Sequence, residues 1–218
     1  WDSCLMLTLC MIIRNAEDTI ARALDSVLPH VDRSIVVLAG HSTDNTEAIV
    51  TGRVDDLERF YPEDHPKAFF PDGSLSDFAA ARNYALSFVP EGSHWLYIDS
   101  DDELMDGSKL KECVAALEAG AGVVTLPYDY SHDEYGKPTL QHRKERVFSG
   151  KITDWHWRDR VHEWCFTAQD APYHRMEEPL VNHHRDPDPV RTERNKQIID
   201  LMLKEDPNNR RARLHLAE

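Results

Sequence analysis

Asp99, Asp101, Asp102 and Glu103 crowd into the stretch "WLYIDSDDEL", with Ser100 the lone uncharged residue among them, directly after an apolar run. Like charges this close repel one another unless a cation or solvent relieves them. Hard divalent cations such as Mg²⁺ and Mn²⁺ take oxygen ligands and bridge one or two carboxylates to substrate phosphates. Asp99 and Asp101, alternate residues on an extended end, can aim two carboxylates at one such ion. A solvated acidic turn capping a helix would carry the same pattern, so the surrounding elements must decide.

Leu5 to Ile13 is a near-continuous apolar run, as in a strand covered on both faces. In "AEDTIARALDSVLPHV" the residues Ile20, Leu24, Val27 and Leu28 share a helical face that Pro29 ends. "SIVVL" (34–38) reads as a second buried strand, followed by the turn "AGHSTDNT" and a helix through Ile49 and Val50. "KAFF" (67–70) reads as a short third strand. "SDFAAARNYALSFV" is a helix capped by Ser76 or Asp77, and "HWLYI" (94–98) is the strand that delivers the acidic residues. Alternating strands and helices imply an α/β sheet with right-handed crossovers, whose ligands bind beyond the strand C-terminal ends. "RNAE", "AGHSTD" and "DSDD" all fall at such ends and should converge on one crevice. That convergence favours a site over a solvated turn.

Beyond residue 105 the expectation is a helix (109–118), a hairpin from "GVVTLPYDYS" and "TLQHRKERVFS", the aromatic stretch "DWHWRDRVHEWCF", and "PLVNHHRDPDP". From about Arg191 the chain is helical, broken at "DPNN". The helix, break and second helix resemble the entry to a tetratricopeptide-type repeat.

Together "LTLCMIIRNAEDTIARALDSVLPHVDRSIVVLAGHSTDNT", "DFAAARNYAL" and "WLYIDSDDEL" resemble the family 2 glycosyltransferases of GT-A fold. "RVHEW", "VNHHR" and "ERNKQIIDLMLKEDPNN" are similar to the branch that carries tetratricopeptide repeats after the catalytic domain. The resemblance implies a Rossmann-like mixed sheet with helices on both faces over residues 1–188, and a helical extension over 189–218. It also implies a nucleoside-diphosphate sugar donor, a divalent metal (Mn or Mg) on the D-x-D, and inversion at the anomeric carbon. Position by position, Arg14, Asn15 and Glu17 would line the base and ribose pocket, with Ser42 and Asp44 in the loop after the second strand. Asp77 and Arg82 match "D-x-x-x-x-R-N", whose arginine faces the nucleotide. Asp99 would lie near the ribose or metal, Asp101 would be the principal metal ligand, and His183 would complete the coordination. One departure stands out: Ala39 occupies the place of the carboxylate that usually contacts the base.

Glu163 is a carboxylate able to take a proton from an acceptor hydroxyl or thiol, with His162 beside it. Desolvation by Trp155, Trp157 and Trp164 would tune such a base, and one of these indoles could stack on a sugar. The plainer alternatives are a structural His162 and a Glu163 paired with Arg158 or Arg160.

Composition bounds the rest. The chain has 218 residues, 41% apolar and 29% charged, enough for a full core. A net charge of -14 argues against a nucleic-acid partner. No apolar run is long enough to span a membrane, and the first residues lack the basic region and cleavage site of a signal peptide. Cys4, Cys10, Cys113 and Cys165 show no CxxC spacing, and Cys4 and Cys10 lie too far apart along one strand to bridge. A reduced, cytoplasmic setting without disulfides is expected. The chain starts without Met and stops at "LHLAE" within an expected helix, which reads as a piece trimmed from a longer protein. Besides a transferase, two classes stay open: a nucleotidyltransferase, against which the absence of a Gly-rich basic loop in "CMIIRNAED" speaks, and a degenerate binding platform, which Ala39 favours. An acceptor that is a protein or peptide would suit the repeats.

Overall fold

The strands β1 (Leu7–Ile13) and β2 (Arg33–Ala39) are buried along almost their whole length, as unbroken apolar runs demand of parallel strands covered on both faces. The computed structural model describes residues 6–184 and 189–216. Between these strands α1 (Ile20–Val27) buries Ile20, Ala23, Leu24 and Val27, the stripe its spacing requires. After β2 come α2 (Thr46–Val50) and β3 (Asp56–Phe60), which pairs parallel with β2. α3 (Phe78–Leu86) starts at Asp77, whose Oδ1 accepts from the Ala80 amide at 2.9 Å. β4 (His94–Tyr97) then adds parallel to β1.

The expected strand at "KAFF" does not form. Residues 66–68 make a 3-10 turn led by Pro66, and Phe69 meets Leu75 in an isolated bridge. The third strand is instead "DLERF", a polar edge strand with one neighbour in the sheet, which therefore never needed an apolar run.

The second half supplies β5 (Asp102–Met105), α4 (Leu110–Glu118), β6 (Val123–His132), β7 (Pro138–Phe148), β8 (His156–Arg158), β9 (Trp164–Phe166), β10 (Tyr173–Arg175) and β11 (Leu180–His183). The main sheet runs β3-β2-β1-β4-β7-β6-β11-β5, with β10 also on β6, while β8 and β9 form a separate hairpin. β7 is antiparallel to both β4 and β6, so the sheet is mixed. Of the two main cores, one packs α1 and α4 against the sheet and the other packs α3 with Trp95, Phe148 and Trp157. The helices α5 (Pro189–Glu205) and α6 (Arg210–Leu216) close a third cluster of Val161, Ile198, Ile199, Met202 and Ala212. Cys10, Cys113 and Cys165 are free thiols, and Cys4 lies outside the described residues. No described helix is long and apolar enough to cross a membrane.

Candidate functional site

The loops that follow β1 and β2 are stitched together. Arg14 Nε donates to the His41 carbonyl at 3.1 Å, and Asn15 Oδ1 accepts from the Thr43 amide at 2.8 Å. Ser42 Oγ accepts from the Asn15 amide, and Glu17 Oε2 accepts from the amide and side chain of Asn45. Asp44 caps the Thr46 amide and also accepts from the Glu17 amide. Arg14, Asn15, Glu17, Ser42 and Asp44 thus form one polar rim. Gly40, at φ +95°, lets the Arg14 stem pass: a Cβ there would stand 3.3 Å from Arg14 Cδ and 3.1 Å from the Phe69 ring. Ala39 is buried in the core beside Phe60 and Phe69.

The acidic stretch is a tight turn rather than an open one. The Asp102 amide donates to the Asp99 carbonyl at 3.0 Å, and the Asp102 carboxylate accepts from the Asp99 amide at 3.2 Å. Antiparallel pairing of β5 with β11 sets His183 opposite Asp102. His183 Nδ1 lies 3.0 Å from Asp102 Oδ1 and 3.8 Å from Asp101 Oδ1. Asp101, Asp102 and His183 are all buried and each offers one ligand atom, the three within 4.8 Å of one another. Ligands bound at 2.0–2.1 Å to an octahedral Mg²⁺ stand about 3 Å apart, and oxygen with imidazole suits Mg²⁺ or Mn²⁺. The donor set fits such an ion. Tyr128 Oη supports it, 2.8 Å from Asp102 Oδ1 and 3.1 Å from His183 Nδ1.

Asp99 stands outside that group because two arginines hold it. Arg82 Nη2 donates to Asp99 Oδ1 at 2.7 Å, and Arg146 Nη1 approaches Asp99 Oδ2 at 3.5 Å. Burial alone would raise the Asp99 pKa, but the two guanidiniums prevail and hold it well below the usual carboxylate range. Arg146, fully enclosed, also donates from Nη2 to Asp102 at 2.7 Å, while Arg82 Nε donates to Glu163 Oε1 at 2.6 Å. The result is a ladder of alternating charge, Glu163–Arg82–Asp99–Arg146–Asp102, ending at His183. The Tyr97 ring lies under both guanidiniums, 4.9 Å from Arg82 and 4.6 Å from Arg146, and Trp157 covers Arg82 at 5.1 Å.

Glu163 closes the loop between β8 and β9, and neither Arg158 nor Arg160 pairs with it. Arg158 lies over the Phe166 ring, and Arg160 binds Glu205 and approaches Asp77 Oδ2 at 3.2 Å. Asp77 therefore sits at the seam with the C-terminal helices, and burial raises its pKa. His162, at φ 53°, stacks on His215 of α6 with ring centroids 4.0 Å apart. The structure brings Arg82, Asp99, Asp101, Glu163 and His183 together, and puts His162 and Asp77 on the helix side. Trp157 is core, Trp155 donates to the Ser149 carbonyl, and Trp164 donates to Asp159.

Tyr128 and Arg146 joined the site without having been singled out in the sequence, and Asp102, read there only as part of the acidic cluster, became a candidate ligand. In the sequence Arg146 stands beside Arg143 and Lys144 with no local mark to set it apart, and only its place on β7 encloses it.

A family model described as "Glycosyl transferase family 2" matches residues 8–173. A TPR repeat-containing protein of Synechococcus elongatus is 36% identical over 99 residues, which are 45% of this chain and 21% of that protein. The crystal structure of S. aureus TarS matches with a TM-score of 0.55 at 14% identity, over 91% of this chain and 40% of that one. Glucosyl-3-phosphoglycerate synthase from Mycobacterium tuberculosis, solved with Mg²⁺ and uridine diphosphate, matches with a TM-score of 0.58 at 17% identity, over 93% of this chain and 79% of that one. The chain thus spans about a fifth of the cyanobacterial relative and two fifths of that TarS chain.

Proposed function

The chain belongs to glycosyl transferase family 2, a family of nucleotide-sugar transferases, and from that premise we propose that it moves a sugar from a nucleoside-diphosphate donor to an acceptor hydroxyl or thiol, with inversion. The observation that carries this reading is the meeting of two buried carboxylates and an imidazole at the end of β4, with the charge ladder leading from them to Glu163.

The rim of Arg14, Asn15, Glu17 and Ser42 receives the nucleoside. With Ala39 in the core, no carboxylate from that position reaches the base, so the donor base is set by the rest of the rim. Asp101, Asp102 and His183 would hold a divalent ion, which supplies positive charge to the departing diphosphate. Tyr128 and Arg146 keep those carboxylates in place. Glu163 takes the acceptor's proton, and Arg82 aims its carboxylate from the buried side. Residues 189–216 act as a helical extension packed on this domain, and a protein or peptide acceptor accords with the repeat-bearing relative.

Thermal-shift titration against UDP, GDP, CDP and ADP, each with and without Mn²⁺, tests the reading. Stabilisation by a nucleoside diphosphate only when Mn²⁺ is present supports it. No response to any of them would leave a binding platform as the better description.

A further inference from the structure

Arg191 lies in the first turn of α5, yet its Nη2 reaches Oδ2 of Asp101 at 3.0 Å, ninety positions back along the chain. The Asp101 side chain is 8% exposed and that of Arg191 30%, so Arg191 is the half of the pair nearer solvent. Arg82 and Arg146 differ in kind. Each is enclosed and fixed between two carboxylates. Arg191 is paired with one carboxylate, that of a candidate metal ligand.

Arg191 takes Oδ2 of Asp101, while Oδ1 lies 3.8 Å from His183 Nδ1, so an ion held there would bring a second positive charge beside the guanidinium and weaken its hold. A divalent ion would carry twice the charge of the guanidinium, and the Asp102 and His183 atoms would help to hold it. Once it takes Asp101, Arg191 is left beside the ion with a planar fork that matches phosphate oxygens. The backbone of α5 need not leave to allow this. Ile198, Ile199 and Met202 anchor the helix in the cluster with Val161, and Glu205 holds Arg160 at 2.9 and 2.7 Å. A change in the Arg191 side chain suffices.

We propose that Arg191 is a contact for the donor's diphosphate, resting on Asp101 until a divalent ion claims that carboxylate. The inference rests on the nucleotide-sugar reading above and adds to it a working part for α5: the helix delivers a phosphate-binding cation that also pairs with a candidate metal carboxylate. Metal and donor are then coupled through one side chain.

The coupling gives Arg191→Ala effects of opposite sign in two titrations. Mn²⁺ alone, followed by electron paramagnetic resonance, should bind about threefold tighter or more, because a competing ion pair of partly exposed type is gone. The nucleoside diphosphate that binds wild type, titrated calorimetrically at saturating Mn²⁺, should bind about tenfold weaker or more, the scale of a lost charge-assisted hydrogen bond. Arg191→Lys should fall between, keeping the charge without the fork. Melting temperature, read alongside, identifies a variant that has lost α5 packing, and Glu205→Gln supplies the comparison by loosening α5 without touching Asp101: it should move both affinities in one direction or neither. If Arg191→Ala weakens Mn²⁺ and nucleotide together, or leaves the nucleotide affinity unchanged, the inference is wrong while the functional reading stands. Wild type that binds no nucleoside diphosphate with Mn²⁺ overturns both.

Discussion

Arg82 Nε donates to Glu163 Oε1 at 2.6 Å, joining α3 to the loop between β8 and β9 across 81 positions of sequence. The same guanidinium holds Asp99 at 2.7 Å, so the first carboxylate of the D-x-D and the carboxylate of "RVHEW" share one buried cation. Both their carboxylates are oriented before any substrate arrives.

Glu163→Gln keeps the shape and an oxygen for Arg82 but cannot accept the acceptor's proton. Donor affinity should stay near wild type while transfer falls by about 10²–10⁴, the usual contribution of a general base. Steady-state kinetics with a parallel donor titration reads both. A fall in donor affinity equal to the fall in turnover would reassign Glu163 to a structural part.

Arg82→Met fills similar volume and removes the cation from between Asp99 and Glu163. Breaking a buried pair while leaving its carboxylates behind costs about 3–5 kcal/mol, so chemical denaturation should show a large loss. Arg82→Lys should recover part of it, since one ammonium cannot reproduce the fork to both partners. A near-neutral Arg82→Met would mean that the carboxylates escape to solvent.

How much of this was legible in the sequence depended on whether an element is local. β1, β2, β4, α1 and α3 carry their periodicity on their own residues, and the end of β4 announced the acidic turn. β5 and β11 are short strands stabilised by each other across some 80 positions, with Asn182 paired to Glu103 and His183 to Asp102. Nothing within either segment encodes that pairing. Asp102 therefore read as one more acid of a turn, when strand pairing makes it the partner of His183. Tyr128 and Arg146 were hidden for the same reason: each becomes part of the site only when β7 inserts between β4 and β6. "KAFF" misled because apolar residues at a core edge need no strand to be buried.

Tyr128→Phe deletes one hydroxyl from behind the carboxylate and imidazole of the candidate metal centre. Residues that orient metal ligands change metal affinity about 10- to 100-fold when lost, so Mn²⁺ binding should weaken by at least about tenfold. The melting temperature should move little by comparison. Unchanged Mn²⁺ affinity would exclude Tyr128 from the support of the site.

His94 gives a pH dependence remote from the acidic turn. Its Nδ1 accepts from the Gly150 amide at 3.0 Å, which puts the ring proton on Nε2, 2.6 Å from Glu118 Oε1. Burial lowers the His94 pKa from 6.5 and outweighs the pull of Glu118. The folded chain therefore binds fewer protons here than the unfolded one. The contribution to stability is complete above pH 6.5 and is lost as pH falls from there toward the lowered folded value. Melting temperatures between pH 8 and 5 should fall more steeply for wild type than for His94→Gln. Parallel curves would show that His94 does not titrate on unfolding.

The central claim is that the nucleoside diphosphate binds through a divalent ion on Asp101, Asp102 and His183. The most direct measurement is turnover of a sugar nucleotide, assayed as released nucleoside diphosphate, for wild type and Asp101→Asn across a Mn²⁺ titration that begins in excess chelator. Wild type should be inactive in chelator and recover as Mn²⁺ is added, and Asp101→Asn should lose at least about a hundredfold of the metal-dependent rate, the scale of one strong electrostatic contact. Full wild-type activity in excess chelator would contradict it.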